Sequence, residues 1–222
     1  PDALRRLGIA LDERPSAVLS YGTRSLIDEA GDPFGDDTTP VFTAKPSGNV
    51  TAELLRGNVI QTGTQCARAS ALRRTEGFNE SLSVLEDWEL WTRLSLLGEF
   101  QFIGGSPVLR YRRRPGSAIN NSEIDEMRYF AAIEKVYGNA SICARFSPSQ
   151  LHRSRRIREG RAFESIGESM LRMHNWRFAR QYFWRSVLHS GITPRRAALL
   201  VFSSFNWAPG VAAARIGMRT SS

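Results

Sequence analysis

The densest group of side chains able to do chemistry is Val84-Leu85-Glu86-Asp87-Trp88-Glu89-Leu90-Trp91-Thr92-Arg93-Leu94, with three carboxylates between positions 86 and 89. Leu90, Trp91, Leu94 and Leu97 recur at three and four, so the spacing predicts a helix over 85–97 with its acids in the first turn. An ordinary amphipathic helix shows the same pattern, because carboxylates near a helix N-terminus are stabilised by the dipole. The geometry also suits catalysis. A carboxylate fixed on a first turn at the mouth of a sheet is ionised at neutral pH and accepts a proton from a hydroxyl that becomes acidic late in the transition state. Glu86 and Asp87 are adjacent and point about 100° apart on a helix. They cannot flank one glycosidic bond from opposite sides as a hydrolase pair does, so one base with a neighbour is the arrangement expected.

Other chemistries are missing from the sequence. It has no GxGxxG, GxxxxGK[ST], GxSxG or CxxC, and His152, His174 and His189 have no metal-ligand spacing with one another or with the cysteines. Each histidine is read as a surface or packing residue. Cys66 and Cys143 read as small hydrophobes, and two cysteines make no disulfide framework, so a reducing cytosolic setting is expected.

The elements that must position the acidic segment alternate in type. Residues 1–14 read as a helix with Leu4, Leu7 and Leu11 on one face, ended by Pro15. Ala17–Tyr21 reads as a buried strand, and Leu26-Ile27 as a short one closing on a turn at Asp28–Gly31. Residues 31–48, rich in Gly, Pro, Asp and Thr without a period, read as a loop. Asn49 is placed to cap a short helix through Leu54-Leu55 that Gly57 ends. Strands are expected at Thr64–Arg68, Phe100–Ile103 and Val108–Tyr111. From Ser122 onward the strand signals vanish, and Ile124–Tyr137, Leu151–Met173, Trp176–Ser190 and Pro194–Phe205 read as helices. The apolar stretch Ala197–Met218 is interrupted by Pro209 and Gly210 and suits a packed helix better than one lying on a membrane. The expected organisation is an α/β domain over residues 1–120 and a basic helical extension over 121–222.

The charge follows the same division. The chain of 222 residues has 30 Lys+Arg against 22 Asp+Glu, a net +8, and only Lys45 and Lys135 are lysines. Residues 1–100 hold 10 basic and 15 acidic side chains; residues 101–222 hold 20 and 7. Such asymmetry points to an anionic partner for the second half. A hydrophobic fraction of 41% excludes a disordered chain. No apolar run approaches the roughly 18 residues of a membrane span.

Three segments together are more specific than any one. Gly57-Asn58-Val59-Ile60, Arg73-Arg74-Thr75-Glu76-Gly77-Phe78-Asn79-Glu80 and Glu86–Leu94 occur in the order of the acceptor half of family-2 glycosyltransferases, which residues 1–120 resemble. Tyr111-Arg112-Arg113-Arg114-Pro115-Gly116-Ser117 resembles that family's Tyr-Arg-x-His/Arg segment, with Arg114 where many relatives carry His. The opening Pro1-Asp2-Ala3-Leu4 is similar to the helix after the family's Asp-x-Asp motif. The resemblance implies a partial GT-A-like (Rossmann-like) mixed sheet followed by the helical extension.

It also implies an inverting transferase that moves a sugar from a nucleotide-diphosphate sugar to a hydroxyl on a glycan or lipid-linked acceptor. Asp87 would be the base and Glu86 its neighbour. Trp88 would be an apolar platform for a sugar face, Asn58 part of the substrate site, and Arg112 and Arg114 partners of the donor diphosphate, since guanidinium forks suit phosphate oxygens. The full-length family uses Mg²⁺ or Mn²⁺ held by the Asp-x-Asp, a motif these 222 residues do not contain; no metal ligand is expected here, and the chain alone is expected not to transfer sugar. The location implied is cytoplasmic, with peripheral contact at the inner face of the membrane. The competing reading is a basic helical interaction module for an anionic membrane surface, nucleic acid or a protein partner. Phe163, Trp176, Phe178, Tyr182, Phe183 and Trp184 interleave with the arginines, but at helical spacing, and no nucleic-acid fold signature accompanies them, so nucleic acid is not expected.

Overall fold

The computed structural model describes residues 2–36, 45–112 and 126–204. It is mixed α/β, with two small three-stranded sheets followed by helices. Helix α1 (Ala3–Asp12) buries Leu7, Ala10 and Leu11 beside β1 (Ala17–Tyr21), and Ser20 Oγ donates to the Leu7 carbonyl at 2.8 Å. In the first sheet β1 lies between β4 (Gln65–Ala67), antiparallel to it, and β5 (Glu99–Phe102), parallel to it. Past Gly22-Thr23 the chain continues as β2 (Arg24–Ile27), which pairs in parallel with β6 (Leu109–Arg112). Gly22 is needed at this step: a Cβ there would meet Val108 Cγ1 at 2.9 Å.

The stretch 31–48, expected as a loop, begins with a strand. β3 (Pro33–Asp36) is antiparallel to β2, with Leu26 opposite Gly35. The Asp28 carboxylate accepts from the N–H groups of Gly31 (2.8 Å) and Asp32 (2.9 Å), and Gly31 takes φ +100°, folding the chain back on itself. A four-residue edge strand opened by proline carries no readable period. Residues 37–44 of that stretch lie outside the described residues.

Helices α2 (Thr51–Arg56), α3 (Ala69–Arg74) and α4 (Glu86–Leu94) complete the α/β part. Then come α5 (Glu126–Tyr137), α6 (Ala140–Arg145), α7 (Pro148–Arg172), α8 (Trp176–Ser190) and α9 (Pro194–Ser204). Helix α6 has no counterpart among the sequence-based expectations: six residues are too few for a period, and Asn139, which accepts from the N–H groups of Ser141 and Ile142, is its main mark.

One hydrophobic core runs through both parts. Leu19, Leu54, Trp88, Leu90 and Phe100 of the α/β part are contiguous with Ala132, Ile133, Val136, Ile142 and Ala162 of the helices. The boundary expected near residue 120 is therefore not a break in the core. Helix α7 is buried on most sides because it lies between α2 and α5 on one flank and α8 on the other. Glycine permits a close approach to α8, since a Cβ on Gly167 would stand 2.6 Å from the Phe183 ring. Among the described residues no helix is long and apolar enough to cross a membrane.

Candidate functional site

Asp87 is held by the loop that joins α2 to β4. Gly57 ends α2, and Val59 and Ile60 bury their side chains to anchor the loop. Asn58 Oδ1 accepts from the Ile60 N–H at 3.1 Å, an Asx turn that orients the amide. The other end of that amide, Nδ2, donates to Asp87 Oδ2 at 3.0 Å. Further along, Thr64 N–H donates to the Gln61 carbonyl at 3.0 Å across a turn whose Gly63 has φ +92°. This turn presents Thr62, whose hydroxyl also donates to Asp87 Oδ2. Oδ1 accepts from the Trp88 N–H at 2.6 Å.

The approach to α4 is strained. Leu85, the residue before its first turn, sits at φ +60°, ψ +18°. That left-handed conformation costs a bulky residue roughly 1–2 kcal/mol, and it turns the chain so that Glu86 and Asp87 open the helix. A carboxylate has about four acceptor positions. Asn58, Thr62 and the Trp88 N–H fill three at Asp87 and leave one for an incoming hydroxyl. None of the three donors carries charge. Glu86 is half-buried and makes no hydrogen bond or ion pair among the described residues.

Asp87, Glu86 and Asn58 are thus brought together. Trp88 is a correction: its ring is 0% exposed, and its Nε1 donates to the Leu54 carbonyl at 2.6 Å. As the third residue of α4 it faces the core, so it offers no surface to a sugar. Trp91 is likewise buried, with Phe78 edge-on at 6.3 Å. Arg112 stands at the end of β6, where Nη1 donates to the carbonyls of Asp28 (3.0 Å) and Glu29 (2.5 Å); it staples the β2–β3 turn and has no described contact with Asp87. Arg114 lies outside the described residues.

Two residues beyond the α/β part belong to the surroundings of Asp87. Arg158 of α7 lays its guanidinium over the Trp88 ring, 4.3 Å from the centroid. Burial pulls this guanidinium well below the usual arginine range, with Tyr129, Tyr137 and Asp87 opposing that shift and Arg161 adding to it. Tyr129 of α5 is raised, first by burial, with Arg158 and Asp87 both within electrostatic reach. Neither residue was legible as a site residue. The available signal was that Arg158 falls on the stripe Leu151, Ser154, Arg158 and Ala162, where a helix turns inward.

At the carboxyl ends of the parallel strands β1 and β5, Tyr21, Thr23, Lys45, Val59, Gln61 and Phe102 line a small cavity. Open α/β sheets place ligands at this end. The cavity shares its wall with the loop that grips Asp87, since Val59 and Gln61 belong to both. Gln61 is itself fixed by accepting from the Arg24 N–H at 3.1 Å. Among the described residues no three His, Cys, Asp or Glu side chains gather as a group able to hold a metal ion.

Comparison with protein-family models and with curated proteins finds no match to this chain.

Proposed function

We propose that residues 2–112 form the acceptor side of an inverting glycosyltransferase of the GT-A type, with Asp87 as the base. The single observation that carries this reading is the hydrogen bond between Asn58 and Asp87, 3.0 Å long. The family resemblance singles out both residues from segments 29 positions apart, and the fold joins them at one carboxylate. Neutral donors orient that carboxylate without pairing it to a cation. An acceptor hydroxyl at the remaining lone pair is activated for in-line attack on the anomeric carbon of the nucleotide-sugar. The proton passes to Asp87 Oδ1, the C–O bond to the acceptor forms as the bond to the diphosphate breaks, and the nucleoside diphosphate leaves. A divalent cation in the complete family would neutralise that leaving group; its ligands are not among the residues described.

The test is transfer by the natural full-length protein from a panel of nucleotide-diphosphate sugars, with the product anomer assigned by NMR. Inversion at the anomeric carbon is expected. Retention, or no turnover of any donor, contradicts the proposal.

A second reading has one observation in its favour. On α8 and beyond, Trp184 (54% exposed), Leu188 (69%) and Ile192 (69%) are open to solvent beside the exposed Arg177. An apolar face beside a cationic residue suits the interface of an anionic membrane. Co-flotation with phosphatidylglycerol vesicles, lost in Trp184→Ser/Leu188→Ser and in high salt, is the expected result; flotation unchanged by the double variant removes this reading.

A further inference from the structure

Among the described residues, buried charged side chains follow one rule that a single residue breaks. The described charged residues that are buried are Glu89, Glu159, Glu168, Arg158 and Arg196. Glu89 is paired with Arg93, Glu159 with Arg155, Glu168 with Arg195, and Arg196 with Glu164. Arg158, 5% exposed, has no ion pair among the described residues, and its Nε is buried without a hydrogen-bond partner among them. A buried cation left unpaired is strongly unfavourable, and a group unsatisfied in this way calls for an explanation such as an ion that binds there.

The neighbourhood of Arg158 is built for an anion. The Trp88 ring caps one face of the guanidinium and fixes its plane. One turn further along α7, Arg161 lies across Gly57, where a Cβ would collide with Nη1. Arg161 also has no ion pair among the described residues, and Arg56, at the end of α2, is within its electrostatic reach. Three guanidiniums thus stand where α7 packs on α2, beside Trp88 of α4. Glu164, also within reach of Arg161, is paired with Arg195 and Arg196, and the Asp87 carboxylate is the acid next to these guanidiniums that lacks an arginine of its own. Three positive charges against one negative leave about two, which matches a phosphate or diphosphate group. A carboxylate would satisfy only half of that.

We infer that the seam between α2 and α7, beside Trp88, is an anion subsite in which Arg158, with Arg161 and Arg56, takes a phosphate or diphosphate group of the acceptor whose hydroxyl faces Asp87. The acceptor assignment rests on the transferase reading; the binding of phosphate does not. The substrate class it names is a phosphorylated acceptor, either a lipid-linked diphosphate or a soluble sugar phosphate.

The experiment is calorimetric titration of the 222-residue chain with inorganic phosphate and with pyrophosphate. Saturable binding is expected, weakened by about 10- to 100-fold in Arg158→Met, as loss of charge-assisted hydrogen bonds predicts. Arg158→Lys, which keeps the charge but loses the fork, is expected to lie between. Arg153→Gln on the exposed face of the same helix is expected to bind within about twofold of wild type. Thermal unfolding checks that each variant is folded, and Arg161→Gln is read in the same way if Arg158→Met is not. Competition by a water-soluble polyprenyl diphosphate over a hexose phosphate identifies the lipid-linked source, and the reverse order the soluble one. The inference is overturned by absence of saturable binding, or by equal weakening in Arg153→Gln, which would mark a diffuse basic surface. If phosphate binds as expected while the protein turns over no nucleotide-diphosphate sugar, the transferase reading fails and the subsite stands.

Discussion

The helical region and the acidic turn of α4 hold their carboxylates by different means. All five described carboxylates of residues 126–204 are ion-paired with arginine: Glu126 with Arg185, Glu134 and Glu159 with Arg155, Glu164 with Arg195 and Arg196, and Glu168 with Arg195. Asp87 is instead gripped by an amide, a hydroxyl and a backbone N–H. An ion pair fixes a side chain by neutralising it. Three neutral donors fix it just as firmly and leave its charge and one lone pair available. The comparison separates carboxylates that hold helices together from one whose charge no arginine neutralises, as the proposed base requires.

The comparison breaks most readily at Arg196. Its guanidinium joins Glu164 to the carbonyls of Ser190 and Gly191, and it is buried. Arg196→Met is expected to cost about 3 kcal/mol in urea unfolding, because Glu164 and the carbonyls lose a buried partner. Gly167→Ala presses a methyl against Phe183 and should cost roughly 1–2 kcal/mol after the gain in helix propensity. Arg158→Met is the sharpening case. Its guanidinium has no ion pair to lose, so stability should stay level or rise by about 1 kcal/mol, opposite in sign to Arg196→Met.

The smallest effect is expected at Glu126. The hydrogen bond from Arg185 is the first cause holding its carboxyl below the usual range, with a further bond from Tyr182 Oη at 2.9 Å. A carboxyl depressed in the folded state stabilises the protein above its ordinary value of about 4.3, and that contribution is lost as pH falls through the folded value. The gap in melting temperature between wild type and Glu126→Gln should therefore be full at pH 7 and close on acidification. It should correspond to less than about 1 kcal/mol, as for partly exposed pairs.

What the sequence made legible was local. The apolar repeat of α4, the Gly57 end of α2 and the strands around Leu19 and Phe100 all follow from spacing and punctuation within a dozen residues, whereas the cap of α2 falls at Val50 and not at Asn49. Asp87 was singled out by the acidic first turn together with the family resemblance, and Asn58 by that resemblance alone. Trp88 was misplaced because a first-turn aromatic can face either way, and the packing of α2 and α5 against α4, with Arg158 of α7 over the ring, turns it inward. Thr62 was passed over as a polar loop residue; its hydroxyl reaches Asp87 through the turn that Gly63 permits. Arg158 lay hidden in a run of five arginines, because charge counts do not reveal which member of a helix face is buried.

The central claim is that Asp87, not its neighbour, takes the proton. Turnover of Asp87→Asn and Glu86→Gln, measured side by side in the natural full-length protein with a nucleotide-diphosphate sugar, tests it most directly. A fall in kcat of about 10²- to 10⁴-fold is expected for Asp87→Asn, and less than about tenfold for Glu86→Gln. Near-wild-type turnover in Asp87→Asn, or the larger loss in Glu86→Gln, contradicts the account.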